Sequence, residues 1–137
     1  MRVKHASLGT AAVLASLMTG FALPQAHAET SVSPLATSPG ISPSAPYIYA
    51  KGGLLSCPYE ALCTSTWDPT ANSWKIYVLR DCVDYNLSYW NGKGAYINNQ
   101  SGGARARFFT LNGSWTASAD NKGTPIDWNP IWKIRPC

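Results

Sequence analysis

Two kinds of side chain in this chain of 137 residues could carry chemistry, and their spacing limits what that chemistry is. The first is cysteine. Cys57, Cys63, Cys82 and Cys137 all lie beyond residue 28. A zinc centre wants closely paired thiolates, and no Cys-x-x-Cys step is present. An even set of four reads instead as a disulfide framework, which can be joined in three ways. Cys57–Cys63 with Cys82–Cys137 is the favoured pairing. The first bridge closes a short loop around Pro58 and is worth roughly 2–3 kcal/mol in the loop-entropy account. The second ties the last residue to the middle of the chain and is worth roughly 4 kcal/mol on the same account. The second kind is carboxylate. Glu60, Asp81, Asp84 and Asp127 could supply the acid–base pair of glycoside cleavage, but nothing in their spacing brings two together. No histidine follows His27, which excludes Ser-His-Asp and Cys-His catalysis and imidazole metal ligation beyond that point. The sequence reads as that of a protein that is not an enzyme, with no cofactor and no metal site.

The elements that must position these residues begin after an export signal. Arg2, Lys4 and His5 precede the apolar run AAVLASLMTGFAL, and Ala26-His27-Ala28 has the small-x-small form of a cleavage site. Residues 1–28 are therefore expected to be a signal peptide, and the chain that follows is expected to be secreted, with no membrane contact after cleavage. Beyond residue 28, nine basic side chains stand against seven carboxylates, a net charge near +2. The basic residues are scattered rather than clustered, so no nucleic-acid partner is expected. Residues 29–53 are rich in Pro, Ser and Thr and lack periodicity, and are expected to be a flexible linker or pro-segment. Tyr47-Ile48-Tyr49 is the one apolar patch there, an edge strand or a contact used in export. Residues 54–137 are expected to form the folded domain, small enough that two bridges matter to its stability.

Within that domain, Trp74–Leu79 alternates as a strand does, Asn86–Trp90 and Gly94–Asn98 are shorter strands, and Ala104–Leu111 with Ser114–Ala119 reads as a hairpin about a type I′ Asn112-Gly113 turn. A turn over Asp120–Pro125 and an extended run Ile126–Ile134 follow. Turn signals about every ten residues and no helical stripe predict an all-β fold, a small disulfide-stapled barrel or sandwich with Greek-key topology. All six tryptophans lie in this domain. Trp74, Trp90 and Trp132 fall within strand patterns and are expected in the core. Trp67, Trp115 and Trp128 sit beside turns and are the candidates for an exposed platform that stacks on sugar rings or a protein partner. Arg105 and Arg107 share a strand face and could meet an acidic partner, although such a pair is more often a solvated face.

The run Cys57-Pro58, then Leu62-Cys63, a strand, Cys82, and Asn98-Asn99-Gln100 with glycines after it resembles a family of small bacterial secreted peptidase inhibitors with a βγ-crystallin-like fold. Characterised members of that family inhibit metalloproteinases. The resemblance covers about Leu54 to Cys137. It implies a two-sheet Greek-key fold and a secreted metalloproteinase as partner. A proteinase inhibitor needs a rigid, exposed, substrate-like loop, and the candidate is Arg80–Tyr85, with Cys82, Val83 and Asp84 at its centre: Cys82 anchors it and Val83 offers a branched apolar side chain. The chain departs from crystallin calcium sites, because Gly102-Gly103 stands where a hydroxyl pair belongs and carboxylates are lacking nearby. Asn98 and Asn99 are therefore expected to bond backbone groups at a strand end. The alternative function is an envelope- or glycan-binding module, with cell-wall glycan as its partner, or a structural protein of the cell surface.

Overall fold

The computed structural model describes residues 35–54 and 56–137, which fall in one compact unit, Pro34–Cys137. The expected signal peptide lies outside the described residues. Ten strands and no helix occur among them: β1 (Gly40–Ser42), β2 (Tyr47–Ala50), β3 (Ala61–Asp68), β4 (Ser73–Leu79), β5 (Tyr85–Ser88), β6 (Lys93–Asn99), β7 (Ala106–Thr110), β8 (Gly113–Ala117), β9 (Thr124–Asp127) and β10 (Ile131–Arg135). They form two five-stranded antiparallel sheets. The first has the order β1-β5-β10-β7-β8 and the second the order β2-β4-β3-β6-β9. The all-β expectation holds at this level.

The strand order contains an internal repeat. In the unit β3 to β6, the first, second and fourth strands belong to the second sheet, while the third, β5, crosses to the first sheet. In the unit β7 to β10, the first, second and fourth strands belong to the first sheet, and the third, β9, crosses to the second. Each sheet is therefore completed by a strand from the other unit. Each crossing strand is followed closely by a Trp-Asn pair, Trp90-Asn91 after β5 and Trp128-Asn129 after β9. The two indoles meet edge to face at the centre, with centroids 4.8 Å apart and planes at 90°, the geometry the ring quadrupole favours. Leu62, Tyr77, Tyr96, Phe108 and Ile134 pack around them from both sheets. A smaller cluster of Cys57, Ala61, Cys63 and Ile97 holds the loop before β3.

Residues 29–53, expected as a linker, require correction from Ser38 onward. Gly40–Ser42 pairs with β5, Tyr47–Ala50 pairs with β4, and each lies at the edge of its sheet. Pro39, Pro43 and Pro46 fall just outside the two strands, so none removes a donor from a ladder. The domain thus begins before residue 54. The strand β3 carries no strand signal in the sequence. It is buried from Ala61 to Thr66 on both faces, so Ala-Leu-Cys-Thr-Ser-Thr shows no alternation to read. The hairpin of β7 and β8 is present, but Thr110 pairs with Gly113, which puts Leu111 and Asn112 at its tip. Neither of them takes a positive φ; Gly113 does, at 150°. The expected type I′ Asn112-Gly113 turn is replaced by one a residue earlier.

Candidate functional site

The structure bonds Cys57 to Cys63 and Cys82 to Cys137. The second bridge lies in the arch 80–84, which carries the chain from β4 in one sheet to β5 in the other. The arch is held at four points. Arg80 Nη1 donates to the Tyr59 carbonyl at 2.9 Å. Cys82 is joined to the chain end beyond β10. The Val83 amide donates to the Asp81 carbonyl at 2.9 Å, a tight local turn. Asp84 Oδ2 accepts from Lys133 Nζ at 2.9 Å, and Arg135 Nη1 lies 3.6 Å from Asp84 Oδ1. Both cations come from β10, so the bridge and the ion pairs fasten the arch to the same strand. Tyr85 then buries its ring between the sheets. Burial, followed by the charge of Asp81, raises its phenol above the ordinary value. Between these anchors the Val83 side chain remains 39% exposed. The arch therefore presents a branched apolar group on a backbone with little freedom to move.

The three tryptophans expected as a platform do not come together. Trp67 is on the second sheet, 38% exposed and edge to face with Trp74 at 5.4 Å. Trp115 is on the first sheet, 38% exposed and stacked on Phe108 at 4.3 Å. Trp128 is wholly buried, which corrects its expectation as a surface residue. Its Nε1 donates to the Ser65 carbonyl at 2.8 Å. A Cβ at Gly94 would overlap both partners of that bond, so the glycine opens the space for the indole. Trp132, expected in the core, is 43% exposed. The β10 register slips between Ile131 and Lys133, and Trp132 faces outward there, whereas Trp128 lies between β9 and β10 and fills the space over Gly94.

The amide cluster is tied to the backbone. The Asn98 side chain, fully buried, donates to the carbonyls of Ala104 and Ala117 at 3.3 and 3.1 Å and accepts from Gln100. Asn99 donates to the Cys57 carbonyl at 2.8 Å, fastening β6 to the loop before β3. Of the carboxylates weighed for paired acid–base work, Glu60 binds the Ser101 hydroxyl, Asp84 holds Lys133, and Asp127 accepts from the Asn129 amide at 3.0 Å. No group of three His, Cys, Asp or Glu side chains able to hold a metal ion occurs among the described residues.

A different carboxylate, passed over in the sequence, has the most perturbed environment. Asp68 is buried and accepts from Ser38 Oγ, Tyr49 OH, the Thr70 amide and Thr70 Oγ1. Burial opposes its ionisation, yet these donors together outweigh it and hold the carboxyl well below the usual carboxylate range. Lys75 Nζ, itself buried, donates to Ser38 Oγ at 3.2 Å and to the Pro39 carbonyl at 2.9 Å. A serine between an acid and a lysine has the look of a nucleophilic site, but Asp68 is far too weak a base to take the hydroxyl proton at neutral pH. The network joins the segment before β1 to β3 and β4. No protein-family model, curated protein or solved structure matches the chain.

Proposed function

We propose that the protein inhibits a metalloproteinase by presenting the arch Arg80–Asp84 as a substrate-like loop, with Val83 entering the primed pocket of the enzyme. The observation that carries this reading is the anchoring of the arch: Val83 stands exposed while Cys82 is bridged to Cys137 and Asp84 is held by Lys133 and Arg135. A loop already held in its bound shape gives up little freedom on docking. If the backbone is cut beside Val83, the bridge and the ion pairs keep the new ends in place, so products leave slowly and the enzyme stays blocked. We read the fold with this function as a Greek-key, βγ-crystallin-like one. The support is the exchange of the third strand between two four-strand units. Two disulfides favour an oxidising compartment, which suits a secreted inhibitor.

The test is titration of a thermolysin-type enzyme with the oxidised chain. Stoichiometric inhibition is expected. In the Val83→Asp variant a carboxylate is stripped of water without a partner, a cost of several kcal/mol, so inhibition should weaken at least ~100-fold. The melting temperature should not change, because the side chain is exposed. The reading fails if no metalloproteinase in a broad panel is inhibited, or if Val83→Asp inhibits as well as the parent.

A further inference from the structure

The outer face of the first sheet concentrates positive charge beside one exposed ring, Trp132, and one half-buried ring, Phe109. Arg107 on β7 lies opposite Arg135 on β10, and Phe109 lies opposite Lys133. Phe108 and Ile134, the alternate residues of the same strands, are buried between the sheets, so these four side chains face outward. Directly opposed residues of an antiparallel pair have Cβ atoms roughly 5 Å apart, and like charges so placed repel. The register shift in β10 adds Trp132 to the same surface, 43% exposed, its ring centroid 6.4 Å from that of Phe109. Lys133 Nζ lies 4.1 Å from the Phe109 centroid and 5.0 Å from that of Trp132. Arg105, exposed, precedes β7 on the same side as Arg107.

The acidic counterpart is small. Asp84 pairs with Lys133 and Arg135, and no carboxylate among the described residues pairs with Arg107. Beyond residue 28 the chain carries a net charge of about +2. The four basic residues of this face against Asp84 make it +3, which leaves the rest of the chain at −1. The positive excess, scattered along the sequence, is therefore gathered on one surface, where Asp84 answers Lys133 and Arg135 but no carboxylate among the described residues pairs with Arg107.

We propose that this face binds an acidic polysaccharide, a chain whose sugar rings carry carboxylates. A guanidinium takes a carboxylate in paired, charge-assisted hydrogen bonds, and Arg107 and Arg135 come from directly opposed positions of the sheet. An exposed indole next to them offers a flat apolar surface to the carbon face of a sugar ring. Ring and carboxylate occur together in a single uronate unit, as aromatic ring and cation do on this face, where Lys133 Nζ lies against Phe109 and Trp132. An acidic peptide would engage the cations but leave Trp132 without a role. The surface adjoins the arch through Asp84 and does not include Val83, so it does not depend on the proteinase reading.

The test is calorimetric titration of the oxidised chain with oligogalacturonate, an uncharged oligosaccharide of equal length, and polyglutamate, each at low salt and at physiological salt, where screening sets in beyond ~8 Å. Oligogalacturonate should bind, at least ~10-fold more weakly at the higher salt, with a change in tryptophan fluorescence; the uncharged chain should not bind. Arg107→Gln and Trp132→Ala should each weaken binding about tenfold, and Trp132→Ala should remove the fluorescence change. Both side chains are exposed, so melting temperatures should stay near that of the parent. Absence of binding at low salt overturns the proposal. So does equal affinity for polyglutamate with no effect of Trp132→Ala, which would assign the face to an acidic protein.

Discussion

Asp68 illustrates how one side chain can tie distant segments together. Its donors, Ser38, Tyr49 and Thr70, come from three separate parts of the chain. Its carboxyl is a stronger acid in the fold than when unfolded, so ionisation favours the folded state. That contribution is complete well above the unfolded value of ~3.9, begins to fade as the pH falls through it, and is gone once the pH passes the folded value. Asp68→Asn should cost about 2–3 kcal/mol at neutral pH, the worth of hydrogen bonds to a charged acceptor. Urea unfolding at pH 7 and pH 3 should show the gap between variant and parent narrowing in acid; an equal gap at both would assign the cost to shape rather than charge. Gly94 is the other residue with a sharp expectation. Gly94→Ala drives a methyl into the Ser65 carbonyl and the Trp128 indole. A loss of about 3 kcal/mol is expected from overpacking and the weakened hydrogen bond, read from the same denaturation curves. A change below ~1 kcal/mol would mean that β6 can move aside.

Among the elements, β1 and β2 matter more than their combined length suggests. The Pro39 carbonyl accepts from Tyr77 OH and Lys75 Nζ at 2.8 and 2.9 Å, and the Gly40 carbonyl accepts from Trp90 Nε1 at 2.7 Å. Each donor is buried. A chain beginning at Gly52 would leave a phenol, an indole and a lysine ammonium without these partners. Unsatisfied buried donors cost on the order of 1–3 kcal/mol each, so the melting temperature should fall by ~10 °C or more. Differential scanning fluorimetry of the two chains settles this; midpoints within about 3 °C would show that the segment is dispensable. A sequence with Pro39, Pro43 and Pro46 can supply two strands because each proline lies just before or after a strand and none lies within one.

The exchange of β5 and β9 makes the molecule one cooperative object. Neither four-strand unit can complete its sheet alone, so a single unfolding transition is expected. The Cys82–Cys137 bridge spans 55 residues and joins the arch of the first unit to the end of the second. Its loop-entropy contribution is roughly 4 kcal/mol, a large share of the ~5–15 kcal/mol of a typical domain. The oxidised chain should be about 4 Da lighter than the reduced one, one hydrogen for each bridged cysteine. Reduction should lower the thermal midpoint steeply while leaving one transition. Two separate transitions would mean that the units fold independently in spite of the exchanged strands.

Local pattern by itself determined what depends on neighbours along the chain. Alternation over Trp74–Leu79 shows β4, the flanking runs show the β7–β8 hairpin, and the even number of cysteines indicates bridges. Tertiary contact decided the rest. Burial on both faces hides β3, because Thr64, Ser65 and Thr66 read as loop residues until sheets or loops cover them. Trp128 and Trp132 both flank Pro130, yet the space over Gly94 takes the Trp128 indole inward while Trp132 faces outward at the slipped register of β10. Asp68 meets Ser38 across 30 residues, and Arg107 meets Arg135 only through strand pairing. Periodicity reports which face of a segment is apolar; which segments become edges, and which charges become neighbours, is settled only when the two sheets close on one another.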